Sequence, residues 1–313
     1  MDNVRNNENL SEDELFYFVE YSPEKAEKVG YSDYSYWKAV FQSFLKKKVA
    51  VTLTIVFVSL IIFSFIALAI GEYSFETLKT NAKLAFQKPS GEYWFGTDNL
   101  GRDYWCQVWY ACQTSIKLAI IVALGECAIG VIIGCIWGYV RKLDRFLTFV
   151  YDILNNVPTI IYLTLIALLI GKSFKILATS LIAFYWILMA RNVRNLVMIY
   201  RDREYNLASR CLGTSTFNII LHNILPYLIS VIILRLALSI PGTIAFESTL
   251  SYLGLGLGIE MPSLGILLRN ARSFFIDFPY LLIFPAAIVS TITIAFYLIG
   301  NAFSDAADPR NHV

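Results

Sequence analysis

Six long apolar blocks divide this chain, and they constrain its fold more than any other feature. They are Val49–Ile70, Ser115–Val140, Phe146–Ile170, Ile176–Ala190, Ile224–Ala245 and Leu281–Phe303. A helix needs roughly 20 apolar residues to cross about 30 Å of hydrocarbon. No water reaches the backbone there, so each span must satisfy its own N–H and C=O groups as a helix. The expected fold is therefore all-α: a polytopic membrane protein with six transmembrane helices. A chain of 313 residues could instead hold one or two soluble domains. Composition argues against that, with 57% hydrophobic and 16% charged residues, where soluble domains are about a quarter charged. Pro158, Pro226, Pro241 and Pro285 fall within or at the edges of these blocks, which membrane helices tolerate when neighbours satisfy the freed carbonyls.

Orientation follows from lysine and arginine in the connections. One set of flanks holds thirteen: Lys38, Lys46, Lys47, Lys48, Arg141, Lys142, Arg145, Arg191, Arg194, Arg201, Arg203, Arg210 and Arg310. The other holds eight: Lys79, Lys83, Lys88, Arg102, Lys172, Lys175, Arg269 and Arg272. Both termini are therefore expected in the cytoplasm, with the chain in the cell membrane. No cleavable signal peptide is apparent, so the first span would act as its own insertion signal. The expected organisation is a cytoplasmic tail and interfacial helix over 1–48, then a first span and extracellular segment over 49–114. The transmembrane core follows over 115–303, and a short cytoplasmic tail over 304–313. Within the core, a cytoplasmic loop spans 191–223 and an extracellular loop spans 247–280. Connections this long are uncommon and often functional.

Several classes of chemistry are excluded. The net charge of +2 gives no reason to expect a nucleic-acid partner, and two histidines, His222 and His312, cannot build a histidine-based catalytic or zinc site. Gly171-Lys172-Ser173 lacks the first glycine of a phosphate loop, since Ile166 stands there, and Gly254-Leu-Gly256-Leu-Gly258 follows no strand. Catalytic, cofactor and metal residues are all expected to be none. Of five cysteines, Cys127 and Cys135 lie in an apolar block and read as small apolar residues. Cys106 and Cys112 fall on the outer side, where a disulfide is chemically allowed.

The inner loop reads Glu204-Tyr-Asn-Leu-Ala-Ser-Arg-Cys-Leu-Gly213 and ends on Ile224-Leu225-Pro226. Its first half suits a short helix, Gly213 a turn that favours glycine, and Ser215–His222 a second short helix. On local chemistry alone it reads equally well as a solvated loop with a basic face. The loop resembles the coupling segment of ABC-importer permeases, whose pattern is Glu-Ala-Ala, three residues, Gly, then about ten residues and Ile-Leu-Pro. Ala208, Gly213, Ile224, Leu225 and Pro226 match it. Leu207 replaces the Glu and Ser209 the second Ala, which would leave docking to helix shape and to Arg203, Glu204 and Arg210.

Two further stretches narrow the resemblance. Phe95-Gly-Thr-Asp-Asn-Leu-Gly-Arg-Asp103 is similar to the Gly-Thr-Asp-x-x-Gly-Arg-Asp signature of dipeptide and oligopeptide (peptide/nickel) permeases. Gly96 and Gly101 would bracket a turn that Asp98, Arg102 and Asp103 cross-link, a structural knot. Phe246-Glu247-Ser-Thr-Leu-Ser-Tyr-Leu-Gly254-Leu-Gly256-Leu-Gly258 and Pro262-Ser-Leu-Gly265 are similar to that family's outer scoop motif, with Leu264 in place of the usual Trp. Asp305-Ala-Ala-Asp-Pro-Arg310 matches its closing motif. The resemblance covers about Trp94 to Arg310 and fits the second of the family's two permease subunits. It implies the ABC importer type I permease fold and oligopeptide import. It also implies a homologous second permease, two cytoplasmic ATPase subunits carrying ATP and magnesium, and an extracellular peptide-binding protein. Nickel or other small solutes are carried by the same family.

Glu126 and Arg235 each lie near the middle of a span by residue count. An ionisable group at that depth costs several kcal/mol and faces the bundle interior or a watery cavity. The two could form a structural ion pair, or Arg235 could line the path and meet a peptide carboxylate. Gly130, Gly134 and Gly138 share one helix face, where a second backbone can approach closely. Two other classes stay open on the residues alone. One is an ion-coupled secondary transporter with Glu126 as proton carrier, and the other is a membrane scaffold or sensor.

Overall fold

The computed structural model of the chain describes residues 36–70, 80–257 and 261–307, and the chain from Val40 onward forms one compact unit. Ten helices carry the description. They are α1 (Tyr36–Lys46), α2 (Lys48–Ile70), α3 (Tyr104–Tyr139), α4 (Arg141–Asn156), α5 (Thr159–Leu169), α6 (Phe174–Arg201), α7 (Glu204–Cys211), α8 (Leu225–Tyr252), α9 (Leu264–Arg272) and α10 (Tyr280–Ala306). Among the described residues the only extended pairing is an isolated bridge between Thr97 and Asp103. The tail before residue 36, Gly258 and the motif from Asp308 onward lie outside the described residues.

Among the described residues, five helices are long and apolar enough to cross a membrane: α2, α3, α6, α8 and α10. The third apolar block departs from expectation. It is two helices, α4 and α5, bent by 75° at the break, and it makes a sixth span only if the pair crosses as one. The cause is the Asn156-Val157-Pro158 junction. A proline disfavours the helical region for the residue before it, and Val157 is extended, with ψ 125.

Helix ends also run past the apolar blocks. The second block was expected to begin at Ser115, yet α3 begins at Tyr104, because Asp103 caps it by accepting a hydrogen bond from the Trp105 N–H at 3.0 Å. At about 1.5 Å per residue its 36 residues make a rod of roughly 54 Å. Likewise α6 continues to Arg201, so Arg191–Arg201 is helix rather than loop. Pro241 does not interrupt α8, which runs unbroken to Tyr252. The loop expected to begin at Glu247 therefore begins one and a half turns later. Residues 215–222 form no separate second helix either, since a turn at Thr216–Asn218 and a π-helical stretch, Ile219–Ile224, feed straight into α8.

The centre of the bundle is α3 against α6, joined along the glycine face. A Cβ on Gly130 would lie 2.6 Å from Met189 Cβ, one on Gly134 2.6 Å from the Ala190 carbonyl oxygen, and one on Gly138 2.7 Å from the Arg194 carbonyl oxygen. Side chains there would force the helices apart, as expected for small residues every fourth position. A second core of Tyr104, Val108, Cys112, Ile244, Leu264, Leu281 and Ile292 ties α3, α8, α9 and α10 together. Cys106 and Cys112 are both buried and free, so no disulfide joins them.

Candidate functional site

Polar networks gather at the two ends of α3, and a cleft lies between them. At the first end, Gly96 and Gly101 adopt φ of +75 and +71, the left-handed region that favours glycine. They fold Gly96–Asp103 around one buried carboxylate. Asp98 Oδ1 accepts the Leu100 and Arg102 N–H groups, both at 2.9 Å. Its Oδ2 accepts Arg102 Nη2 at 2.7 Å and Gln107 Nε2 at 3.0 Å. The expected cross-link thus exists between Asp98 and Arg102, whereas Asp103 is turned to the helix cap. Tyr280 Oη donates to the Thr97 carbonyl and Tyr104 Oη to the Leu281 carbonyl, which fastens the knot to the start of α10.

Beside it stands the scoop segment. Gly254 takes φ +78 after α8, and the Leu255 N–H reaches back to the Leu250 carbonyl at 2.7 Å, a Schellman-type stop. The chain then turns back into α9. Glu247 has no exposed surface, and its Oε1 accepts from the Ser251 and Ser263 hydroxyls at 2.6 Å each. Ser263 also caps α9, so the carboxylate sits at a helix N-terminus, where negative charge is favoured. Leu264 is fully buried and donates its N–H to Ser115 Oγ of α3. Lys172, in the sequence that imitated a phosphate loop, donates to the Gly254 carbonyl at 2.6 Å.

At the opposite end, α7 is held from behind. Arg210 Nε donates to Tyr139 Oη at 3.0 Å and its Nη2 to the Arg201 carbonyl at 2.9 Å. Arg201 in turn donates to the Gly138 carbonyl at 2.8 Å. Asn206 is fully buried; it donates to the Tyr200 carbonyl and accepts from Asn223. Arg201 beside Asp202 holds that carboxyl below the usual carboxylate range. Gly213, at φ +81, ends α7 with the Thr214 N–H bonded to the Ser209 carbonyl. Arg203, Glu204, Leu207, Ala208 and Pro226 face outward, as does Leu212 at 86% exposure. Arg210 and Ser209, expected on the docking face, point inward instead, because each finds a polar partner within the protein. The residues that brace α7 from behind, Tyr139, Arg201, Asn206 and Asn223, were not singled out from the sequence. A buried asparagine in a polar loop gives no periodic signal.

Between the ends, α3, α6 and α8 enclose an open cleft of about 450 Å³ lined by Glu126, Tyr185, Asn192, Arg235, Ser239 and Phe246 among others. Glu126 and Arg235 therefore share one cavity. They do not pair, however, since the ion pairs among the described residues join other partners. Ser239 faces the Glu126 carboxyl instead. Arg235, one helical turn from Ser239, is exposed in the cleft. The structural ion pair considered from the sequence is therefore not formed here, and the Glu126 side chain is hydrogen-bonded to Ser239 instead.

Residues 130–313 match the model of the family described as binding-protein-dependent transport system inner membrane component. The chain is 35% identical over 301 residues to the oligopeptide transport system permease protein AmiD of Streptococcus pneumoniae, covering 96% of this chain and 98% of that one. It is 32% identical to the oligopeptide transport system permease protein OppC of Bacillus subtilis, covering 91% and 93% of the two chains. It is 31% identical to the dipeptide transport system permease protein DppC of the same organism, covering 95% and 93%.

Proposed function

The chain belongs to the family of binding-protein-dependent transport system inner membrane components, and from that premise we propose that it is one permease half of an ATP-driven importer of peptides. The observation that carries the reading is the outward face of α7. It is a short helix braced at the end of the bundle, with Leu207 and Leu212 turned away from the protein. Such a face suits a groove on another protein.

The same reading assigns the partners. Two ATPase subunits would bind ATP and magnesium in the cytoplasm, one of them receiving α7 from below. A homologous permease would close the open side of the Glu126–Arg235 cleft, and an extracellular binding protein would deliver peptide to the scoop side. Both termini then lie in the cytoplasm. The sorting of charge supports this, since Lys47 pairs with Asp305 at 2.9 Å at the end where the basic flanks gather. ATP-driven closure of the ATPases moves α7, and the helices shift the cleft from inward-open to outward-open. In the cleft, Arg235 is free to meet a peptide carboxylate. The rival reading, a proton-coupled carrier working through Glu126, requires no docking face and is not favoured.

The test is uptake of labelled peptide into proteoliposomes holding the whole complex. Uptake should need ATP and the binding protein and should persist when an uncoupler dissipates ion gradients. Uptake driven by an ion gradient without ATP would overturn the reading.

A further inference from the structure

A second cavity, of about 320 Å³, lies away from the cleft at the outer end of α2. It is lined by Phe63 and Ala67 of α2, by Glu92 and Trp94, and by Asp103, Trp105 and Cys106 where α3 begins. Its walls are aromatic and stand nearly at right angles. Phe63 meets Trp105 at 5.7 Å and 87°, and Trp94 meets Trp105 at 4.7 Å and 80°. The charged groups among its lining residues are both carboxylates. The neighbouring cation, Arg102, is committed to Asp98. Asp103 accepts from the Trp105 N–H and from the weak Cys106 thiol donor, with the Cys106 N–H also directed at it, and burial pushes its carboxyl up. Two carboxylates thus stand against apolar rings, and among the described lining residues no cation offsets them.

Ring faces carry negative potential and attract weakly hydrated cations. A calcium ion would demand six or more oxygen ligands, which two carboxylates do not supply. An organic ammonium fits better, because its alkyl surface meets the rings while its charge meets the carboxylates. Phe63 and Ala67 belong to α2, whose neighbouring Ile62, Phe65 and Ile66 are exposed apolar residues, so the cavity adjoins a helix suited to contact with lipid. We propose that this pocket binds an ammonium group, carried either by a lipid headgroup or by a small soluble amine. The proposal does not depend on the transport reading.

The test uses the full chain in nanodiscs. One arm titrates tetramethylammonium and follows tryptophan fluorescence. The other exposes the protein to equal phosphatidylethanolamine and phosphatidylglycerol and reads the retained lipid by native mass spectrometry. Glu92→Gln with Asp103→Asn should weaken binding about ten-fold or more. Asparagine still caps a helix, so the unfolding temperature should hold. Enrichment of phosphatidylethanolamine without tetramethylammonium binding assigns the site to lipid, and the converse assigns it to a soluble amine. Equal retention of both lipids with no saturable tetramethylammonium binding overturns the proposal, as does undiminished binding by the double variant. If the double variant unfolds, Phe63→Leu decides, and unchanged binding in that variant overturns the proposal too.

Discussion

The two ends of the bundle are built on opposite principles. At the scoop end, polar groups are buried and hydrogen-bonded inside the chain, Glu247 through its Oε1: Asp98 is 6% exposed and Glu247 and Ser263 not at all. Two of its glycines are enclosed too. A Cβ on Gly101 would lie 2.0 Å from the Asn81 carbonyl oxygen, and one on Gly256 2.0 Å from Ser251 Oγ. At the α7 end the glycine has open space, with nothing within 4 Å of a Cβ on Gly213. There Leu207, Leu212 and Phe217 are exposed, and the Arg141–Asp202 pair lies in solvent. One end is finished by its own packing. The other leaves apolar side chains exposed, the surface that the proposed function assigns to a second protein, and Tyr139, Arg201, Asn206 and Asn223 brace α7 from behind.

This contrast predicts a graded response to substitution. The largest effect should come from Gly101→Ala, which combines a left-handed backbone with a collision against main chain, at a cost of about 3–5 kcal/mol. Little folded protein should survive size-exclusion chromatography in detergent. Gly171→Ala should cost less in the same assay, about 1–3 kcal/mol. Its φ of +114 is strained as well, but nothing lies within 4 Å, so equal damage would show that strain alone governs and would break the comparison. Next, Glu247→Ala strands the Ser251 and Ser263 hydroxyls in a dry site, at about 2–4 kcal/mol, read as a fall in unfolding temperature.

At the α7 end the losses should fall on coupling rather than folding. Gly213→Val puts a β-branched residue at positive φ, at about 1–2 kcal/mol. It should assemble normally yet hydrolyse ATP without moving peptide. Arg235→Met should also assemble and transport poorly, and adding Glu126→Gln should restore nothing; rescue would revive the ion pair. The smallest effect belongs to Asp202→Asn, about 0.2–1 kcal/mol for an exposed pair. Its carboxyl is held low by Arg201 and Arg141. The depressed value means that the pairing helps above the unfolded pKa, near 3.9, and is lost as pH falls through the folded value. Denaturant midpoints of wild type and Asp202→Asn should therefore converge below about pH 4.

The sequence revealed the class of fold and the knot at Gly96–Asp103, because hydrophobic length and left-handed glycines act locally. It misplaced the helix ends, because caps decide them. Asp103 starts α3 eleven residues before the apolar block, and no hydropathy window registers one carboxylate accepting an N–H. The bend at Pro158 was hidden inside a block of uniform apolarity. Residue counting put Glu126 and Arg235 at one depth, and both line one cleft. It could not tell that they remain unpaired, since that depends on the rotation of α3 against α8 and on Ser239. The brace of Asn206 and Asn223 lies between residues seventeen apart, and only the fold brings them together.

The length of α3 has a mechanical consequence. Its hydrogen-bonded rod is unbroken from Asp103, in contact with the knot and scoop, to Tyr139, which holds Arg210 of α7. With no hinge along roughly 54 Å, it behaves as a strut. A tilt imposed at one end must appear as displacement at the other, with a lever ratio set by where α6 clamps its middle glycines. Timing between the two ends of the molecule can then be fixed by geometry, with no chain of side-chain rearrangements to carry it.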